Sequence, residues 1–114
     1  MRETLNTITI TLDLTEVARQ FVEKYANAKR CSKSEALSDI LLWASRRWPA
    51  GTVKVSGGRR VKSGKVSYSL NKDAYEYAQA WSEYAGITLT RAVENICIVV
   101  ALRHKRNEAM KHNG

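Results

Sequence analysis

Polar and apolar positions alternate strictly in two short stretches, Thr7-Ile8-Thr9-Ile10-Thr11-Leu12 and Lys65-Val66-Ser67-Tyr68-Ser69-Leu70. A period of two predicts β-strands with one buried and one exposed face. One face carries Ile8, Ile10, Leu12, Val66, Tyr68 and Leu70. The other carries only short hydroxyl side chains and a lysine: Thr7, Thr9 and Thr11, then Lys65, Ser67 and Ser69.

After each strand the period lengthens to that of a helix, twice over. The first helix is predicted from Asp13, with Glu16 completing a capping box and Leu14, Val17, Ala18, Phe21 and Tyr25 as its apolar stripe. It fades at Ala28-Lys29-Arg30, whose charge suits a helix C-terminus. Ser32 and Glu35 open the second helix, with Ala36, Leu37, Ile40, Leu41, Trp43 and Ala44 facing inward until Arg46-Arg47-Trp48 and Pro49 stop it. Beyond the second strand, Asn71 caps a helix burying Ala74, Tyr77, Ala78, Trp81 and Ala85, which ends at Gly86. Thr88 caps the last, with Ala92, Val93, Ile96, Cys97, Val99, Val100 and Leu102 apolar and a solvated tail from Arg103 onward that includes His104.

The chain therefore reads as one β-α-α unit written twice. Thr11-Leu12 aligns with Ser69-Leu70, and Ser32-Lys33-Ser34 with Thr88-Leu89-Thr90, at a period of about 56–58 residues. The two-residue difference is expected in a longer first interhelical connection. The boundaries fall at 5–48 for the first repeat, 49–63 for a basic Gly-rich linker and 64–104 for the second, within a single domain spanning 1–114. Residues 48–64 contain the only proline and four of the six glycines. They form either a small hairpin over Gly57-Gly58 or a flexible basic linker.

One repeat of about 45 residues is too small to bury a core of its own. A lone strand would also leave its backbone donors and acceptors unpaired. Antiparallel pairing of the two strands over four helices solves both problems. The expected fold is mainly α with a two-stranded antiparallel β-ribbon, its apolar face on the helices and its hydroxyl face outward. Such a ribbon is narrow enough to enter the major groove of DNA.

Charge points to the same partner. With 19 Lys+Arg against 11 Asp+Glu the chain carries a formal +8, a strong anion-seeking field for 114 residues. Lys54, Arg59, Arg60 and Lys62 lie in a segment without a single acid and suit non-specific phosphate contacts. No apolar run approaches a membrane span and no secretory leader is legible, so a cytoplasmic location with no membrane contact is expected. Cys31 and Cys97 are 66 positions apart with no clustered histidine, so neither a metal site nor a disulfide is expected, and no cofactor. No nucleophile motif or phosphate-cradling Gly-rich loop is present, which argues against an enzyme. Trp43, Trp48, Trp81 and the tyrosines suggest stacking on unpaired bases, but the helical spacing of Trp43 and Trp81 marks those two as core; Trp48 beside Pro49 is less constrained.

Ile8-Thr9-Ile10-Thr11-Leu12, a helix directly after it, and Ser32-Lys33-Ser34-Glu35-Ala36 further on resemble the ribbon-helix-helix, or MetJ/Arc/CopG, superfamily of DNA-binding proteins. In that family each subunit supplies one strand and two helices. This chain departs in carrying both halves, as some accessory proteins of plasmid conjugation and T-DNA transfer do. The resemblance thus implies a tandem ribbon-helix-helix pseudo-dimer, monomeric in solution and open to cooperative binding on DNA. It implies base reading by Thr7, Thr9, Thr11, Lys65, Ser67 and Ser69. It further implies phosphate binding at the second-helix N-termini, by Ser32, Lys33 and Ser34 and by Thr88, Thr90 and Arg91, the second clamp being weaker because Leu89 replaces the lysine. The unlike strands imply a DNA element that need not be palindromic. The implied role is accessory, at an origin, border or enhancer sequence, with a relaxase or other transfer-complex protein as a further partner. Alternatives are a transcriptional autorepressor and an antitoxin-like protein-binding module, although only about ten polar residues follow residue 104.

Overall fold

Thr, Ile, Val and Tyr at alternating positions are good strand formers, and here they meet. The computed structural model describes residues 7–51 and 64–112, with side chains as far as Lys105. Strand β1 (Thr7–Leu12) pairs antiparallel with β2 (Val66–Asn71), and Ile10 lies opposite Tyr68. Helices α1 (Glu16–Lys29) and α2 (Lys33–Ser45) follow β1; α3 (Lys72–Ala85) and α4 (Leu89–His112) follow β2. Among the described residues these four helices and one two-stranded sheet are the regular elements. No single helix among them is long and apolar enough to cross a membrane, and α4 leaves α3 at 104°.

One core joins the two halves. Leu12, Tyr68 and Leu70 from the ribbon meet Val22, Leu37, Ile40 and Leu41 from the first half and Trp81, Val93, Ile96 and Val100 from the second. Burial of each large aliphatic side chain contributes about 1.5–3 kcal/mol, so neither half keeps its stability without the other.

The duplication is visible in the connections. Helices α1 and α3 are each 14 residues long, and both end in a left-handed residue: Arg30 at φ 56° and Gly86 at φ 71°. Cys31 N–H donates to Ala26 O and Ile87 N–H to Ser82 O, the same six-residue closure in both. Ser32 and Thr88 then cap α2 and α4 through Glu35 N–H and Arg91 N–H. The interhelical connections are therefore equal in length, contrary to the expectation of a longer first one. The two extra residues are Asp13 and Leu14, between β1 and α1. Leu14 is 1% exposed, so the insertion drives one more apolar side chain into the core. It also moves the start of α1 from Asp13 to Thr15, whose hydroxyl accepts from Ala18 N–H. Asp13 instead accepts from Gly64 N–H across the base of the ribbon.

Each half holds the other's first helix at its start. Ser38 of α2 accepts from Asn71 N–H, at the cap of α3. Glu94 occupies the same place on α4 and accepts from Thr15 N–H, at the cap of α1, at 3.0 Å. The side chain is longer where the insertion has displaced the cap by two residues. Glu94 is only 3% exposed, and the positive end of the α1 dipole favours a carboxylate there.

Several expected stripes are rotated. The closest face of α1 is Ala18, Val22 and Ala26, small side chains that let helices approach, while Val17 is 63% exposed. Phe21, Tyr25 and Trp43 flank the core, half-buried, rather than filling it; Trp81 does fill it. Leu102 also points outward. The helical pattern continues past Arg103, and His104 packs on Phe21 and Trp43 instead of being solvated. Both cysteines are free thiols. The hairpin-or-linker question, with Lys54, Arg59, Arg60 and Lys62, lies outside the described residues.

Candidate nucleic-acid interface

Pairing places the hydroxyl side chains of the two strands opposite one another. Thr9 faces Ser69 and Thr11 faces Ser67, with their oxygens in hydrogen bonds of 3.0 and 3.1 Å. Antiparallel partners come this close at the narrow, non-hydrogen-bonded positions of a ladder. The outer edge of β2 agrees, because Ser69 and Asn71 turn their N–H groups away from β1, onto Ser34 Oγ and Ser38 Oγ at 2.9 Å each. Each hydroxyl in these rungs keeps further donor or acceptor capacity toward solvent. Thr7, Thr9, Thr11, Ser67 and Ser69 are all exposed, and Leu12, Tyr68 and Leu70 behind them are buried.

The third rung pairs Thr7 with Asn71. Asn71 belongs to the outward face, whereas sequence reasoning counted it only as a cap. Its Oδ1 is held by Asp73 N–H at 2.8 Å, which leaves its amide NH2 as a donor on an exposed residue. The signal was its place two residues after Ser69. Lys65 differs in the other direction: β2 begins at Val66, so Lys65 is exposed at the foot of the ribbon, just outside the ladder.

The ends of the ribbon are unlike. A recess of about 300 Å³ at the Thr7 and Asn71 end includes Glu35 and Asp39 in its lining. The opposite end carries Lys65. The two helix N-termini also differ. At α2, Ser32 and Glu35 close a complete capping box, so a carboxylate already occupies the terminus. Lys33 turns to Glu23 at 3.4 Å. The Arg19 guanidinium hydrogen bond, with help from Lys33, holds the Glu23 carboxyl below its usual range. Ser34 is committed to β2. At α4 the first turn has no acid, Thr88 is exposed, and Thr90 and half-buried Arg91 stand at the terminus. The Lys33, Ser34 and Glu35 side chains at α2 are thus engaged within the protein, while the first turn of α4 is free of acid.

No family model, curated protein or solved structure matches the chain.

Proposed function

We propose that the chain acts by binding double-stranded DNA rather than by catalysis, as a tandem ribbon-helix-helix pseudo-dimer that lays its β-ribbon in the major groove. One observation carries this reading: an exposed ladder of hydroxyl and amide side chains stands on a two-stranded ribbon whose reverse face sends Leu12, Tyr68 and Leu70 into the core, with Ile8, Ile10 and Val66 half-buried beside them. Hydroxyls contact either donors or acceptors on base edges, Thr methyls suit thymine, Asn suits adenine and Lys suits guanine O6 and N7. The formal +8 supplies the sequence-independent attraction. Arg91, Thr88 and Thr90 at the α4 terminus are the better placed of the two phosphate clamps.

The difference between a Thr-only strand and a Ser/Asn strand makes the preferred element directional. By analogy with family members that carry both halves in one chain, the role is accessory, at a transfer origin, border or enhancer sequence. Selection of bound duplexes from a random pool identifies the element, and its position in the source replicon distinguishes a transfer origin from a promoter. Thr9→Ala and Ser69→Ala should each weaken the selected site by roughly 10–100-fold while leaving random duplex nearly unchanged. Equal losses on both duplexes, or none, would refute base reading by the ribbon.

A further inference from the structure

Side chains of α1, α2 and α4 build a second surface that shares no residue with the ribbon. Phe21 and Tyr25, one turn apart on α1, stand edge to face with ring centroids 6.2 Å apart. His104 of α4 packs against both, at 5.9 and 6.2 Å, and meets Trp43 of α2 at 5.2 Å. Trp43 meets Trp48 at 5.7 Å. All five rings are half-buried, whereas Tyr68 and Trp81 in the core are each 1% exposed.

Cations edge this aromatic stripe. The Arg47 guanidinium lies 4.2 Å from the centre of the Trp43 ring, and Lys29 Nζ lies 5.9 Å from that of Tyr25. Phe21, Tyr25 and His104 line a recess of about 590 Å³ that is rimmed by Lys24, Lys29 and Lys105. Among the described residues, no carboxylate lines it. A core margin needs apolar packing but not three ammonium groups around one recess. The rings are half open to water and edged by Lys24, Lys29, Lys105 and Arg47, with the Asp39 carboxylate acting on Tyr25 in the opposite sense. Such rings suit flat, polarisable groups strung on an anionic backbone.

We infer that this stripe binds single-stranded nucleic acid, with bases stacking against Tyr25, His104 and the exposed margins of Trp43 and Trp48 while phosphates lie on Lys24, Lys29, Lys105 and Arg47. Duplex DNA is a poor occupant, because its bases are already stacked and paired. Every base has a π-face, so the surface is tolerant of sequence. It shares no residue with the ribbon, which lets one molecule hold duplex and unpaired strand together.

The full chain is titrated with dodecameric oligo(dT), oligo(rU) and an abasic strand of equal length, with and without saturating duplex, following tryptophan emission and the anisotropy of labelled strands. The expected result is quenching of emission and at least about tenfold tighter binding of a base-bearing strand than of the abasic one; the tighter of oligo(dT) and oligo(rU) names the source. A Lys24→Gln, Lys29→Gln double variant, altered only at exposed residues, should lose roughly fivefold on the single strand and soften its salt dependence. Tyr25→Leu should lose a similar factor, and both variants should keep their duplex affinity. Equal binding of the abasic strand would overturn the inference, since the surface would then take any polyanion, an acidic peptide included. Absence of single-strand binding, or its complete displacement by duplex, would overturn it as well. Because the arms without duplex stand alone, failure of the ribbon to bind DNA leaves this result readable.

Discussion

Arg30 and Gly86 close equivalent helices in the same left-handed conformation, at φ 56° and 71°. Only glycine adopts it without a steric penalty, which for other residues is about 1–2 kcal/mol. Arg30→Gly should therefore stabilise the fold by about 1 kcal/mol, and Gly86→Ala should destabilise it by a similar amount, both read from urea midpoints at constant slope. Glu94 is the second decisive residue. Removing its carboxylate leaves the Thr15 N–H inside the protein without that acceptor, so Glu94→Ala should cost about 1–3 kcal/mol. Glu94→Gln retains an oxygen acceptor and should cost less. Thermal unfolding of the two variants in parallel checks the order. Neither residue was legible from the helical stripe alone: Arg30 read simply as part of a basic C-terminus, and Glu94 is not among the apolar positions that mark the last helix.

At the scale of elements, strand alternation, the Ser32 and Glu35 capping box and the Gly86 stop were all visible in the chain because each depends on neighbours in sequence. The start of α1 was not. Asp13 and Thr15 are both competent caps, and what decides between them is burial of Leu14 and the reach of Glu94, which are tertiary facts. The same reason explains the flanking positions of Phe21, Tyr25 and Trp43. Periodicity marks an apolar side but cannot tell the line of closest helix approach from its margins. Tyr77 shows how α3 is joined to the end of α2: its hydroxyl donates to Trp48 O at 2.8 Å. Burial pushes this phenol up to about 12 from 10.0, and pushes the Cys97 thiol up to about 12 from 9.0, with Glu94 adding to the effect. Both groups keep their protons longer in the folded state than in the unfolded one. Their contribution is complete below about pH 9 and is lost as pH rises toward 12. Urea midpoints measured from pH 8 to 11 should fall with rising pH, less steeply in Tyr77→Phe above pH 10 and in Cys97→Ala from pH 9 onward.

For the whole molecule, pairing of β1 with β2 means that a shared core and a shared ribbon are made within one chain. The candidate interface was legible because its residues share a parity in two strands. Its asymmetry was only half legible: unlike side chains can be read off, but the difference between the helix termini depends on where Lys33, Ser34 and Glu35 find partners. The covalent link between the halves has a further consequence. A tether replaces a bimolecular association by an internal one, with an effective concentration of roughly millimolar. Dilution therefore does not separate β1 from β2, and mass action has no hold on the assembly. Melting temperatures measured at micromolar and at hundredfold higher protein concentration should coincide. A few copies in a cell would then carry the ribbon fully formed, at abundances where a subunit-built version would have come apart.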